Sequence, residues 1–202
     1  STPIKSSAAS DVYKRQDKVC SDVNAKDYSD IENAVLTGAG KEADVLFEAG
    51  VTNTLLVNAD KETNGQTLYI NVNGNDKSQS GKIIVNVEDN VTFTIIENFK
   101  GESSTEGRVA LRTLIDTGLN SKVRLIQVYM QPESIDVLSD TGCRLSDNSS
   151  FEIVQVFVGR GSLYDGIRTE LIGNNSAFTA DIGYLGCLLY TSPSPRDYAA
   201  SR

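Results

Sequence analysis

Between Lys82 and Gly186 apolar and polar positions alternate in short runs, and the alternation restarts at an Asn four times. Each Asn is followed three residues later by an apolar residue and nine residues later by an aromatic one. The four units are Asn90/Phe93/Phe99, Asn120/Val123/Tyr129, Asn148/Phe151/Phe157 and Asn175/Phe178/Tyr184, with Asn-to-Asn steps of 30, 28 and 27 residues. Each Asn is preceded by a β-rich run, as in Lys82–Val87 and Val109–Ile115, and followed by another, as in Val91–Ile96. β-Branched and aromatic residues suit a pleated, half-buried surface, and Asn tolerates the left-handed backbone of a tight corner, so each unit reads as strand, turn, strand. In Phe151–Val158 the apolar face passes from Phe151 and Ile153 to Val154, Val156 and Val158, which predicts a bulge or bend.

A period of this length marks supersecondary units that bury their apolar faces only by stacking. Stacked coils with like residues above like describe a parallel β-helix. An antiparallel sandwich also gives short strands and frequent turns, and the pattern alone leaves both open. The β-helix predicts one inward column of Phe93, Val123, Phe151 and Phe178 and a second of Phe99, Tyr129, Phe157 and Tyr184. Earlier in the chain, Thr54–Val57 and Thr67–Val72 flank a polar turn over 58–65 and read as a degenerate coil. The stretches 73–81 and 100–107 are polar loops, where coils carry insertions.

Upstream the period changes. Ser29-Asp-Ile-Glu32 is a capping-box pattern, and Ile31, Ala34 and Val35 share a helical face before Gly38, so one short helix is predicted. Thr37–Glu42 glances at a phosphate-binding loop. It lacks the first Gly and has Glu42 where Ser or Thr would hold magnesium, so it reads as a helix end and a polar turn. Residues 1–16 and 187–202 resemble translated sequencing-library adapter, of the kind met in metagenomic gene sequences, and are set apart as non-native ends. The expected organisation is then 17–50 helical and irregular, and 51–186 a β core belonging to a longer natural chain.

Composition removes whole classes of chemistry. The 202 residues include no His, which excludes Ser-His-Asp triads, Cys-His pairs and His-ligated metals. The net charge is −8, and without the two adapter-like ends, which together carry +3, it is −11, so a broad nucleic-acid surface is not expected. No apolar run approaches the roughly 20 residues of a membrane span. Of three Cys, Cys143 aligns with Val85 and Ile115 of the other units and reads as a small core residue. Cys20 has no evident partner, and Cys187 falls in the adapter-like tail. The sequons at Asn90, Asn148 and Asn174 fall on repeat turns and read as structural. Strand carboxylates such as Glu152 read as solvated outer faces, and no pair has catalytic spacing, so no catalytic, cofactor-binding or metal residue is nominated.

The segments Ile84–Glu97, Lys122–Val128, Gly159–Leu163, Leu171–Gly173 and Gly183–Gly186 resemble the core of the SufB/SufD family of iron–sulfur cluster assembly proteins. The resemblance covers about half the chain and, more weakly, 51–72. It implies a right-handed parallel β-helix and a non-enzymatic cytoplasmic scaffold. Such a scaffold pairs with a homologous SufB/SufD subunit and works with the SufC-type ATPase, and an iron–sulfur cluster is present only transiently in the full complex. The absence of SufB-type cysteine-rich features points to SufD. The family's cluster-handling Cys and His, and its SufC-contacting helices, map onto no position here, so no cofactor is expected in this chain itself. The competing reading is a secreted β-helix adhesin or polysaccharide-binding protein.

Overall fold

A computed structural model describes residues 25–51, 53–74, 78–102 and 106–185. Both adapter-like ends, Cys20 and Cys187 lie outside these residues, as do parts of the two predicted loops. The described chain runs α1 (Ala25–Ala34), α2 (Lys41–Ala49), then ten strands. These are β1 (Asn53–Ala59), β2 (Thr67–Gly74), β3 (Gln79–Val87), β4 (Thr92–Gly101), β5 (Gly107–Thr117), β6 (Lys122–Tyr129), β7 (Ile135–Leu145), β8 (Ser150–Phe157), β9 (Leu163–Leu171) and β10 (Ala177–Tyr184).

The strands form two five-stranded sheets, β1-β3-β5-β7-β9 and β10-β8-β6-β4-β2, and every pairing is parallel. Odd strands build one wall and even strands the other, so each odd–even pair is one coil of a β-solenoid. The sandwich is thereby excluded. The segment 51–72 is a coil of its own: β1 registers with β3 and β2 with β4.

The corners explain the Asn repeat. Asn90, Asn120, Asn148 and Asn175 have φ of 62°, 55°, 56° and 57°, and Gly65 takes the left-handed position in the first coil with φ 77°. Asn and Gly are the residues that enter this region at least cost. The corner backbone bonds from coil to coil, Asn90 N–H to Leu119 O, Asn120 N–H to Asp147 O and Asn148 N–H to Asn174 O. Side-chain amides join the ladder, Asn120 to Asn90 at 3.3 Å and Asn175 to Asn148 at 3.2 Å.

Both inward columns form as the repeat predicts. Phe93, Val123, Phe151 and Phe178 are in register across β4, β6, β8 and β10. Phe99, Tyr129, Phe157 and Tyr184 stack with ring centroids 4.7, 4.8 and 4.4 Å apart, close to the spacing of neighbouring strands. The bulge expected in β8 is absent, because β8 pairs continuously with β6 and β10 from Ser150 to Phe157. Its inward face is Phe151, Ile153, Gln155 and Phe157, while Val154 and Val156 face outward. The apparent phase switch came from reading the buried Gln155 as a surface residue.

The helices lie on the outer face of the odd-strand sheet. Tyr28, Ile31 and Val35 pack on Ile84 and Leu114, and Ala43 and Phe47 pack on Ala110. α1 begins at Ala25, a turn ahead of Ser29, so Ser29 lies inside the helix and is not its cap. α2 is a second helix where the sequence predicted a turn. It starts at Gly40 without a side-chain cap, which removes the usual start signal. Between the helices, residues 36–40 cross the sheet as a strap pressed onto Gly142 and Gly166: a Cβ on Gly142 would strike the Leu36 carbonyl, and one on Gly166 the Ala39 backbone. Asp140 Oδ1 accepts the Gly38 and Ala39 amides at 3.1 and 2.8 Å. Those amides face a carboxylate, which confirms that Thr37–Glu42 is no phosphate loop.

Candidate functional site

Alternation along a strand places the residues three, five, seven and nine after each corner Asn on one face. The seventh position holds Glu97, Gln127 and Gln155, in register through β4, β6 and β8. Ile70 of β2 and Ile182 of β10 occupy the same column at either end. The middle of the solenoid interior is therefore polar, between apolar neighbours. The facing sheet contributes Thr113 from β5, Ser139 and Thr141 from β7, and Asp165 from β9.

These groups form one continuous network. Thr113 donates to Glu97 Oε1 at 2.7 Å, and Gln127 Nε2 donates to Glu97 Oε2 at 2.9 Å. Gln127 Nε2 also lies 3.3 Å from Ser139 Oγ and from Thr141 Oγ1. Gln155 Nε2 donates to Gln127 Oε1 and to Asp165 Oδ2, each at 2.8 Å. The Tyr129 hydroxyl lies 2.8 Å from Ser139 Oγ and donates to Asp165 Oδ1 at 3.1 Å. Buried polar groups must be paired in this way to avoid a desolvation cost.

Neither carboxylate of the network has an ion-pair partner among the described residues. Glu97 is fully buried, and burial lifts its pKa from the ordinary 4.5 to about 7 against the lowering effect of the Gln127 and Thr113 hydrogen bonds. Asp165 is also raised, first by burial. Tyr129 is pushed well above its usual range by burial and then by the Asp165 charge. The network can thus hold a proton near neutral pH and offers several oxygen acceptors.

Cys143 faces the interior from β7, in register with Ile115 and, through it, with Val85. It is the core residue its alignment indicates. Burial, then the Asp116 charge, raises its thiol pKa well above the ordinary value, so the thiolate that reacts or binds metal is disfavoured. Among the described residues no three His, Cys, Asp or Glu group as metal ligands.

The outer faces carry carboxylates of a different kind. Arg124–Glu152 and Arg144–Asp116 are in-register neighbours joined by paired hydrogen bonds of 2.7 and 2.8 Å and of 2.9 and 3.0 Å. Glu152 thus fits the solvated-face reading, whereas Glu97, Asp140 and Asp165 overturn it. Asp140 is buried beneath the strap and pairs with Arg112, which also reaches Asp44 at 2.6 Å and lies 4.4 Å over the Phe47 ring. No residue of the polar column was nominated from sequence. Its signal was present as the shared position of Glu97, Gln127 and Gln155 seven residues after each Asn.

At the β9–β10 end the network opens on a cavity of about 610 Å³ lined by Gln131, Gln155, Gly159, Asp165 and the Tyr129, Phe157 and Tyr184 rings. Among the described residues no helix is long and apolar enough to cross a membrane.

Comparison with known proteins gives one family. Residues 69–187 match the family model described as SUF system FeS cluster assembly, SufBD core domain. No curated protein and no solved structure matches the chain. The match covers more than half of the chain and runs from within β2 through β10, the coils that carry the Asn corners and the polar column. The chain therefore belongs to the SufBD core family and has a role in iron–sulfur cluster assembly by the SUF system.

Proposed function

We propose that this chain is a SufD-like scaffold subunit that pairs with a homologous SufB/SufD-type subunit and works with the SufC-type ATPase in the cytoplasm. The observation that carries the reading is the SufBD core match over 69–187, which coincides with the stacked coils. A scaffold role accords with the chemistry of the coils. Their thiol, Cys143, is buried with a raised pKa, and the sequence has no His. Soft thiolate or imidazole ligands are what a cluster requires. The chain catalyses no reaction in this reading. ATP hydrolysis belongs to the SufC-type partner, and the cluster is the cargo of the complex.

Co-expression with a SufB-type subunit and a SufC-type ATPase tests this. The chain should co-elute with the SufB-type subunit in size-exclusion chromatography, and SufC should join that complex. Elution of the chain apart from a well-folded SufB-type subunit would contradict the pairing. A stoichiometric cluster on the isolated chain would contradict the scaffold role.

A further inference from the structure

The cavity at the β9–β10 end is bordered by two amide oxygens that no donor meets. Gln155 is 1% exposed, and its Nε2 is committed to Gln127 Oε1 and Asp165 Oδ2. Reversing the amide would set oxygen against both oxygens, so the orientation is fixed and Oε1 is the free end. That Oε1 is buried without a hydrogen-bond partner. Gln131 is 2% exposed, its Nε2 is directed at the Gly161 carbonyl, and its Oε1 is likewise buried without a partner. Asp165 lines the same cavity and has no ion-pair partner among the described residues. None of the lining residues is Lys or Arg.

An unpaired buried acceptor is costly, and two beside an uncompensated carboxylate call for a positively charged occupant. The lining offers carboxylate and amide oxygens but no sulfur or imidazole, which selects a hard cation over a soft one. Divalent sites are usually built from several carboxylates, whereas here one carboxylate stands with neutral amide oxygens. We propose that this cavity binds a small monovalent cation, potassium or ammonium, through Asp165, Gln155 and Gln131. The proposal is tested on the chain alone.

Melting temperature measured in potassium, ammonium, calcium and choline chloride at equal ionic strength provides the test. Potassium or ammonium should raise Tm by about 2–4 °C over choline, the shift expected for a ligand that binds only the folded state. The increment should vanish in Asp165→Asn, with the circular dichroism spectrum unchanged. Equal Tm in all four salts, a larger rise in calcium, or an increment retained in Asp165→Asn would overturn the proposal. Thallium(I), a heavy potassium substitute, gives a direct reading on the unaltered chain. Its anomalous signal should lie between Asp165 and Gln155, and a crystal with thallium elsewhere only, or none, would overturn the assignment.

Discussion

Glu97 illustrates how a single buried carboxylate ties the fold to pH. Its folded-state pKa of about 7 lies above the ordinary 4.5. Below about pH 4.5 both folded and unfolded chains hold the proton, and the group exacts no penalty. As pH rises toward 7 the unfolded chain releases its proton while the folded chain retains it, so stability falls with rising pH. The shift corresponds to roughly 3 kcal/mol, lost mainly between about pH 4.5 and 7. Asp165, raised in the same direction, adds to the trend. Glu97→Gln retains a group able to bond Thr113 and Gln127 but removes the ionisation. Urea unfolding at a series of pH values should show the loss in the parent chain and a flatter profile in the variant. Parallel profiles would show that Glu97 does not ionise within this range. The same residue marks what sequence reading missed. The rule that polar side chains lie at the surface fails where an amide ladder satisfies them inside. Alternation from the corner Asn puts positions seven and nine on one face, and at position seven it is alternation, not side-chain polarity, that decides burial.

At the scale of elements, the coils were legible and the covering was not. Strand and corner positions repeat, so each of several units corroborates the rest, and the aromatic column follows from spacing alone. The helices occur once. α1 starts a turn earlier than its sequence signals, because Ser29 and Glu32 imitate a cap, and α2 begins at an uncapped Gly40. The strap between them depends on Gly142 and Gly166, which lie more than a hundred residues downstream, so its docking is a long-range fact with no local signature. Those glycines are needed for close approach, because a Cβ at either meets strap backbone. Gly142→Ala should lift the strap, separate Asp140 from the Gly38 and Ala39 amides, and cost roughly 1–3 kcal/mol as overpacking does. Limited proteolysis should then cut within 36–40 faster than in the parent chain. Unchanged cleavage and unchanged urea midpoint would mean that the sheet surface accommodates the methyl group and that the strap is held elsewhere.

For the whole molecule, the sequence distinguished a β architecture, and the pairing distinguished its kind. Period and composition allowed both a sandwich and stacked coils. Parallel register throughout selects the solenoid, and the SufBD core match gives that solenoid its place in cluster assembly. The arrangement divides labour between surfaces. The corners set the step from coil to coil and the aromatic columns fill the interior. α1, α2 and the strap cover one outer face, and the polar column carries the titratable chemistry. Each assignment depends on the coils being stacked in the order of the chain, with Thr92, Lys122, Ser150 and Ala177 directly above one another. Spin labels introduced in pairs at these four outward positions test that order. Neighbouring strands lie about 4.8 Å apart, so label separations measured from position 92 should grow steadily through 122 and 150 to 177, by about one strand spacing at each step. A separation from 92 to 177 no larger than that from 92 to 122 would contradict the solenoid and everything built on it.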